Sequence, residues 1–376
     1  MTARFLGILS STVASLWCAL ALGDPLFYLL SFTLILCTVF ALVSVILAQK
    51  SLRVTQAVVP DAVDRGGKGE LQVSFSYKSP LPTAPFEAHI SILGETAVFF
   101  IRAKSRVMLP FNLRHVGQFH VGIDRIYCKD IFGLFRLSIK TLPEKCAILS
   151  LPQLFTIDQL TFSPRDDGEA MLNRSGEDVT SPEDTRAYRQ GDALKRVHWK
   201  LSARTGDLIV RRFEVPMPPE TLILINDEPL KIGGESELSL RDAICETALS
   251  SAKEQLALEA PVRIPFYTNP VRDFFASHES ELSNLKRELA MIAFDSEHPF
   301  EAAVSLEMRR ARTTGAAIII TPVLSGALVE AAKNLRLSGP DVRLYFVSHD
   351  PENEEYLPYV RRLQNAMIEV CYVSPV

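Results

Sequence analysis

The residues best suited to chemistry lie in one polar stretch, residues 176–214. Guanidinium groups bind carboxylates and phosphates through paired hydrogen bonds, which predicts a docking surface for an acidic or phosphorylated partner. The same groups suit a module that joins two domains and pairs with its own acids. Both interpretations stay open, because acids and bases alternate here. The arginines concerned are Arg186, Arg189, Arg204 and Arg211, and the nearby acids are Glu177, Asp178 and Glu214.

His198 has the richest polar surroundings of the histidines and lies directly before Trp199. A histidine in that setting is more typical of a packed or solvated side chain than of a catalytic base. The sequence contains neither a Gly-x-Ser-x-Gly turn nor a His-Glu-x-x-His motif. We therefore predict that the protein is not an enzyme. An enzyme that uses the arginine-rich stretch is an alternative.

A second set of polar residues follows predicted strands nearer the C-terminus. In parallel sheets, ligands bind at the carboxyl ends of strands, where acidic and hydroxyl groups can hold Mg²⁺. The same residue types also simply end strands and begin helices, and this interpretation is favoured. No Gly-x-Gly-x-x-Gly follows the first strand, which disfavours a dinucleotide fold of the usual kind. The residues are Asn226–Glu228, Thr268–Asn269, Thr321–Pro322 and Ser348–Asp350.

Local signals predict how the polar stretch folds. Asp192 is suited to cap a short helix that begins near Ala193. Thr205–Asp207 predicts a turn out of that helix, and Leu208–Val210 predicts a strand. Trp199 is expected to be a buried anchor of this segment.

Residues 216–376 alternate apolar strands with helical patterns, which predicts a mostly parallel sheet with helices on both faces. The predicted strands are 221–225, 262–267, 316–321, 342–347 and 368–373, and the predicted helices are 237–258, 282–294, 300–313, 326–337 and 354–367.

Residues 52–160 predict a small antiparallel β-sandwich, because short alternating strands are separated by Gly, Pro and Asn. Arg65–Gly69 is expected to be a hairpin connection rather than a phosphate loop. The predicted strands are 70–77, 88–92, 97–103, 106–113 and 119–128.

The N-terminal residues 1–50 contain two uncharged apolar runs, Phe5–Leu22 and Leu26–Ala48, which predict a transmembrane hairpin. Arg4, Lys50 and Arg53 flank the runs, so the positive-inside rule puts both termini in the cytoplasm. A signal peptide and a buried core hairpin are the alternatives; the second run argues against the former and the lack of charge against the latter.

Composition sets further limits. The formal net charge of −4 disfavours a nucleic-acid partner. The scattered cysteines form no Cys-x-x-Cys pair and fit a reducing compartment rather than a disulfide framework or zinc site. We expect no cofactor.

The polar stretch strongly resembles the signature of the family of domain of unknown function 58. The pattern Asp130-Ile-Phe-Gly-Leu-Phe135 also resembles that family's motif at the end of its β domain. Where the family has Asp before Trp, this chain has His198. The signature matches are Arg186, Tyr188, Gly191, Asp192, Trp199, Lys200, Ser202, Ala203, Arg204, Thr205, Gly206 and Leu208.

The resemblance implies a bacterial or archaeal membrane protein with a von Willebrand factor A-like C-terminal domain. It also implies a MoxR-type AAA+ ATPase as partner, and it brings no established activity. The metal site typical of von Willebrand A domains is degenerate, because Asp227 and Thr321 are not followed by the expected serines and aspartate. We predict no standard Mg²⁺ site there.

These observations predict an α+β multidomain membrane protein with four parts: residues 1–50, 52–160, 161–215 and 216–376. The chain is expected to be a cytoplasm-facing adaptor or scaffold in the inner membrane. It is expected to work with the ATPase in the assembly or maturation of other proteins. A ligand- or metal-binding module with a non-standard site at Asp227 is the alternative.

Overall fold

A computed structural model gives the fold of the chain, a mixed α/β protein with two N-terminal apolar helices and several sheets. It divides into two compact units, one of residues 1–153 with 286–292, the other of residues 154–285 with 293–376. The structure describes residues 3–78, 81–102, 105–155, 184–187, 197–212, 219–230, 232–267, 271–311, 314–351 and 353–375.

Two helices, α1 (Ala3–Leu22) and α2 (Pro25–Ser51), form an antiparallel hairpin. The Asp24 carboxylate accepts a hydrogen bond from the Leu26 amide, and Pro25 suits the first helical position because it lacks the amide hydrogen. The Ser15 and Ser31 hydroxyls bond each other across the hairpin at 2.6 Å, where both are buried. Both helices are long and apolar enough to cross a membrane.

The β part of the first unit has two sheets that share one core. One sheet has the order β1–β3–β6 and the other the order β2–β9–β7–β4–β5, with β8 beside β7. Their pairings are antiparallel except that of β2 with β9, which is parallel. The strands are β1 (Leu52–Val59), β2 (Ala62–Asp64), β3 (Lys68–Tyr77), β4 (Phe86–Ile92), β5 (Glu95–Ile101), β6 (Ser105–Asn112), β7 (Gly117–Lys129), β8 (Arg136–Ser138) and β9 (Cys146–Leu151).

The glycine-rich turn at residues 65–69 is not a hairpin connection, and that prediction is wrong. It links β2 to β3, which lie in different sheets. Close packing requires Gly67 and Gly69, because a Cβ would lie 2.7 Å from the Asp64 carbonyl oxygen and 2.7 Å from the Phe111 ring, respectively. Gly66 has a φ of 77°, which favours glycine. A turn that is rich in glycine therefore marks a crossing between sheets here, which sequence alone does not distinguish from a hairpin.

The second unit contains a six-stranded sheet of order β14–β13–β12–β15–β16–β17. It is parallel except for the edge strand β14, so the prediction of a mostly parallel sheet is confirmed. The strands are β12 (Glu220–Ile225), β13 (Val262–Phe266), β14 (Arg272–Ala276), β15 (Thr314–Thr321), β16 (Asp341–Val347) and β17 (Glu369–Val373).

Helices cover both faces of this sheet. Leu222 and Leu224 lie in a core cluster with α6 (Phe300–Glu307), α7 (Gly326–Leu337) and α8 (Leu357–Asn365). Thr221, on the opposite face, donates a hydrogen bond to Gln255 of α4 (Gly234–Ala257). The alternation of faces along a strand accounts for the continuous apolar sequences. A further helix, α5 (Leu282–Ala290), begins in the second unit, and its residues 286–290 belong to the first unit.

Candidate functional site

The described part of the signature forms a small module with its own two-stranded sheet. Two short strands, β10 (Asp184–Ala187) and β11 (Ile209–Arg212), pair antiparallel, and helix α3 (Trp199–Thr205) precedes β11. The His198 amide donates to the Ile209 carbonyl at 2.8 Å, so the start of the helix is tied to the strand. The module has the turn and strand that Thr205–Val210 predicts.

Local hydrogen bonds fix both ends of α3. The Leu201 amide donates to Nδ1 of His198 at 3.2 Å, which makes His198 the N-cap. Gly206 ends the helix with a φ of 80°, a left-handed conformation that favours glycine. An aspartate, which the resembling family has in place of His198, caps helices in the same way. The histidine thus supplies the acceptor that a carboxylate would supply.

Ser202 holds the helix against the strand. Its hydroxyl accepts a hydrogen bond from the Ile209 amide at 2.9 Å, and the side chain is buried. Because serine is small, the helix approaches β11 closely on this side. Thr205 donates to the Leu201 carbonyl within the helix at 3.0 Å. Ser202, Thr205 and Gly206 of the signature are therefore explained by the fold of the module.

Trp199, Lys200 and Arg204 are not explained in this way. Helical geometry places residues 199, 200, 203 and 204 within one arc of about 140°, with Ser202 outside this arc and next to Trp199. All four are exposed, and Trp199 is 62% exposed. The prediction that Trp199 is a buried anchor is wrong. Val197, which is 5% exposed, is the buried apolar residue next to the helix instead. We call Trp199, Lys200 and Arg204 the α3 face.

Of the other signature residues, only some lie within the part of the chain that the structure describes. Arg186 lies on β10 opposite Val210 of β11. Tyr188, Gly191 and Asp192 lie outside the described residues, as does the predicted helix start near Ala193. The acids proposed as partners of the arginines, Glu177, Asp178 and Glu214, also lie outside them. Whether those acids pair with the signature arginines therefore stays a prediction.

The predicted strand-end site lies where the strand order reverses, between β12 and β15, which is where α/β sheets bind ligands. Here the Asn226 amide donates to the Thr321 hydroxyl at 3.1 Å, and both side chains are buried. Thr321 in turn donates to the Val323 carbonyl. The Asn226 side-chain amide thus uses its N–H donor on the Thr321 hydroxyl. The polar atoms of this pair bond each other across the two strands.

The acids next to this pair also have structural roles. Glu228 accepts a hydrogen bond from the Phe300 amide at 2.6 Å and so holds the start of α6. Burial, together with the charges of Asp295 and Glu228, raises the pKa of Asp227. Among the described residues, no group of three or more His, Cys, Asp or Glu could hold a metal ion.

A buried ion network lies in the same sheet and was not predicted. Arg263 on β13 is 2% exposed, and its guanidinium donates to Glu220 at 2.9 Å and to Glu307 of α6. Burial opposes the charge of Glu307, but hydrogen bonds from Arg263 and Tyr267 hold its pKa below the usual value. The only sequence signal was an arginine within an otherwise apolar strand. The network joins β12, β13 and α6.

Two similar solved structures agree poorly with this chain in structure. One similar solved structure is the "PKD domain of M14-like peptidase from Thermoplasmatales archaeon SCGC AB-540-F20", with 19% identity over 25% of this chain and 94% of that chain, at a TM-score of 0.16. Another is "Cwp6 from Clostridium difficile", with 7% identity over 87% of this chain and 37% of that chain, at a TM-score of 0.18. TM-scores this low assign no fold. No curated protein matches the chain.

The family comparison falls on the signature and the α/β sheet. The match begins with β10 and extends through α8, so it includes the α3 face and the Asn226–Thr321 pair. The resemblance that the signature carries is confirmed over this range, and the family's description gives no function. Residues 184–364 match the model of the family described as "Protein of unknown function DUF58".

Proposed function

We propose that the chain is a membrane-anchored adaptor that binds a protein partner through the α3 face. The observation that carries this proposal is the exposure of Trp199 on a helix whose ends and inner side are held by local hydrogen bonds. Tryptophan and arginine are the residues most enriched at the energetic centres of protein interfaces. An exposed indole beside Lys200 and Arg204 offers a partner an apolar contact and charged contacts at the same place.

The anchor in this proposal is the α1–α2 hairpin, which would cross the inner membrane twice. Bases lie at the open end of the hairpin, where Arg4 precedes most of α1 and Lys50 ends α2. Asp24 lies at the closed end. The positive-inside rule then places both termini, and both compact units, in the cytoplasm. The exposed apolar side chains along both helices support a lipid environment.

The partner is expected to present an acidic surface, since Lys200 and Arg204 supply the charge of the α3 face. The family resemblance supports a MoxR-type AAA+ ATPase in this role, with assembly or maturation of other proteins as the process. It also supports a von Willebrand A-like fold for the α/β sheet. The strand order of the sheet, in which β12 is central and β14 is an antiparallel edge, is consistent with that fold.

The partner is tested by affinity purification of the tagged full chain after brief crosslinking in its native host. Wild type is compared with Trp199→Ala and with Leu337→Ala, because Leu337 is an 83% exposed side chain on α7. We expect a MoxR-type ATPase with wild type and Leu337→Ala, and its loss with Trp199→Ala. Equal recovery from all three would contradict the α3 face as the docking surface.

The anchor is tested separately with alkaline phosphatase fused to the C-terminus, since this enzyme is active only outside the cytoplasm. We expect an inactive fusion in the membrane fraction that resists extraction by carbonate. An active fusion would contradict the orientation, and a soluble protein would contradict the anchor.

A further inference from the structure

The loop between β7 and β8 is a rigid turn that exposes apolar side chains. The Asp130 carboxylate is buried and accepts hydrogen bonds from the Phe132 amide at 2.9 Å and the Phe135 amide at 2.7 Å. Gly133 has a φ of 69°, and Leu134 is buried. Ile131 and Phe132 remain 51% and 45% exposed at the tip.

This loop lies at the open end of the helical hairpin. The rings of Phe5 and Phe135 are in contact, with centroids 5.3 Å apart. A Cβ at Gly133 would lie 2.9 Å from Nη1 of Arg4, so the arginine lies directly over the glycine. The first turn of α1 therefore packs against the loop.

A second contact connects the same region to α2. The Gln49 amide donates to the Ser138 carbonyl, just beyond the loop, at 3.1 Å. Val45 and Ala48 of α2 belong to the core of the β part. The loop is thus fixed relative to both helices, because α2 is anchored in the same core.

The length of α1 sets the depth of the loop. The helix has 20 residues and spans about 30 Å at about 1.5 Å per residue. The hydrocarbon core of a bilayer is also about 30 Å thick, so α1 crosses it only if nearly all of its residues are used. Phe5 then lies at the cytoplasmic edge of the hydrocarbon, and Phe135 lies at the same depth because the two rings touch.

Charges around the loop favour an anionic surface. Residues 131–142 contain no acid, and of their two bases Arg136 pairs with Glu87 of β4 at 2.7 Å while Lys140 remains at the surface; Lys50 follows the Gln49 contact. The one acid that begins the loop, Asp130, is buried in the turn. Arg4, Lys50 and Lys140 are exposed. Basic side chains at a membrane surface attract anionic lipid headgroups.

We propose that the β7–β8 loop is a membrane-binding element of the cytoplasmic leaflet. Ile131 and Phe132 insert at the boundary between headgroups and acyl chains, and Arg4, Lys50 and Lys140 bind lipid phosphates. The hairpin and the loop together hold the β part in one orientation against the membrane. This inference rests on the membrane anchor of the proposed function.

The test uses tryptophan fluorescence of the full chain in nanodiscs made with brominated phospholipids, which quench an indole that reaches the acyl region. The chain has two tryptophans, so Trp17→Phe with Trp199→Phe gives a silent background. Phe132→Trp reports on the loop in this background. Met108→Trp is the control, because Met108 is 50% exposed and lies farther from the helical hairpin. Met108 pairs with Gln72 of β3, and Gln72 pairs with Ala57, five residues after the start of β1. Trp199→Phe alone keeps Trp17 as a reporter of the anchor.

We expect brominated lipid to quench the indole of Phe132→Trp at least threefold more than that of Met108→Trp, with Trp17 also quenched. Ile131→Trp should behave as Phe132→Trp does, which protects the result against misfolding of one variant. If Trp17 is quenched while both loop variants match the control, the loop does not enter the bilayer and the anchor stands. If Trp17 is not quenched, the anchor itself fails and the inference fails with it.

Discussion

Two arginines of the second unit have opposite environments. Arg263 is 2% exposed and donates to the carboxylates of Glu220 and Glu307. Arg204 is exposed on α3, and the described residues include no carboxylate that pairs with it. A buried arginine without its acids would be very costly, so the first arrangement is required by the fold. The exposed position of Arg204 is not required by the fold, since water solvates its guanidinium.

The difference shows how residues that maintain the fold are separated from residues available to a partner. Arg263, like the Asn226–Thr321 pair, uses its polar atoms within the sheet. The signature divides in the same way, because Ser202 and Gly206 shape α3 while Trp199 projects from it. Substitutions in the first group should reduce stability, and substitutions in the second should reduce binding alone.

The largest expected effect is that of Arg263→Met, which keeps volume but removes the cation. Glu220 and Glu307 are then left partly buried without their partner, which costs about 3–5 kcal/mol. Thermal unfolding of the detergent-solubilised chain measures the loss. Arg309→Met is the matched control, because Arg309 is exposed beside the same helix, and it should change stability by less than about 0.5 kcal/mol. Equal stability of the two variants would contradict the claim that the buried Arg263 is required by the fold.

Trp199→Ala should leave unfolding unchanged and weaken partner binding by about 2 kcal/mol or more, which is about 30-fold in Kd. The indole is 62% exposed, so little packing is lost within the chain. Titration of the purified partner against both proteins measures the change. A drop in melting temperature with unchanged Kd would assign Trp199 to the structural group.

The stability of the fold in acid should depend on the buried ion network of Arg263 and Glu307. Hydrogen bonds from Arg263 and Tyr267 outweigh burial and hold the pKa of Glu307 below its usual value. A lowered pKa in the folded state stabilises the fold above the unfolded value of about 4.3, and this contribution is lost as pH falls through the folded pKa. Glu307→Gln should therefore show a shallower loss of stability between about pH 5 and pH 3. Parallel curves for the two proteins would refute the role of this carboxylate.

The smallest expected effect concerns the cap of α3. His198→Ala removes the acceptor of the Leu201 amide and should destabilise the helix by about 1 kcal/mol, while His198→Asp should keep it. Hydrogen exchange at Leu201 measures this local change. A partner that binds the α3 face should bind His198→Asp as well as wild type. Faster exchange in His198→Asp than in His198→Ala would rule out the capping role.

The sequence predicted the α/β sheet well because its strands are short apolar runs. The predicted helices 282–294, 300–313 and 354–367 extend past the observed ends of α5, α6 and α8. Helix α7 has the bounds Gly326–Leu337 that its Gly-Pro stop indicates. Strand β14 was missed, since an antiparallel edge strand with the sequence Arg-Asp-Phe-Phe-Ala has no continuous apolar run. Periodicity therefore indicates buried strands better than edge strands.

The candidate site was predicted in part. Residue type and spacing indicated the signature, the turn after Thr205 and the strand that follows. They did not give the exposure of Trp199, because burial depends on how closely the Ser202 hydrogen bond draws α3 to β11. The partners of Arg263 were also out of reach, since Glu220 and Glu307 lie far apart in the chain and meet only in the folded sheet.

The most direct test of the account is photocrosslinking in the native host, with p-benzoylphenylalanine placed at Trp199 and, for comparison, at Leu337. Both positions are exposed and apolar, and only Trp199 lies on the α3 face. We expect one dominant adduct from position 199, identified by mass spectrometry as an AAA+ ATPase, and none from position 337. No adduct from position 199, or the same adducts from both positions, would contradict the claim that the α3 face is a docking surface.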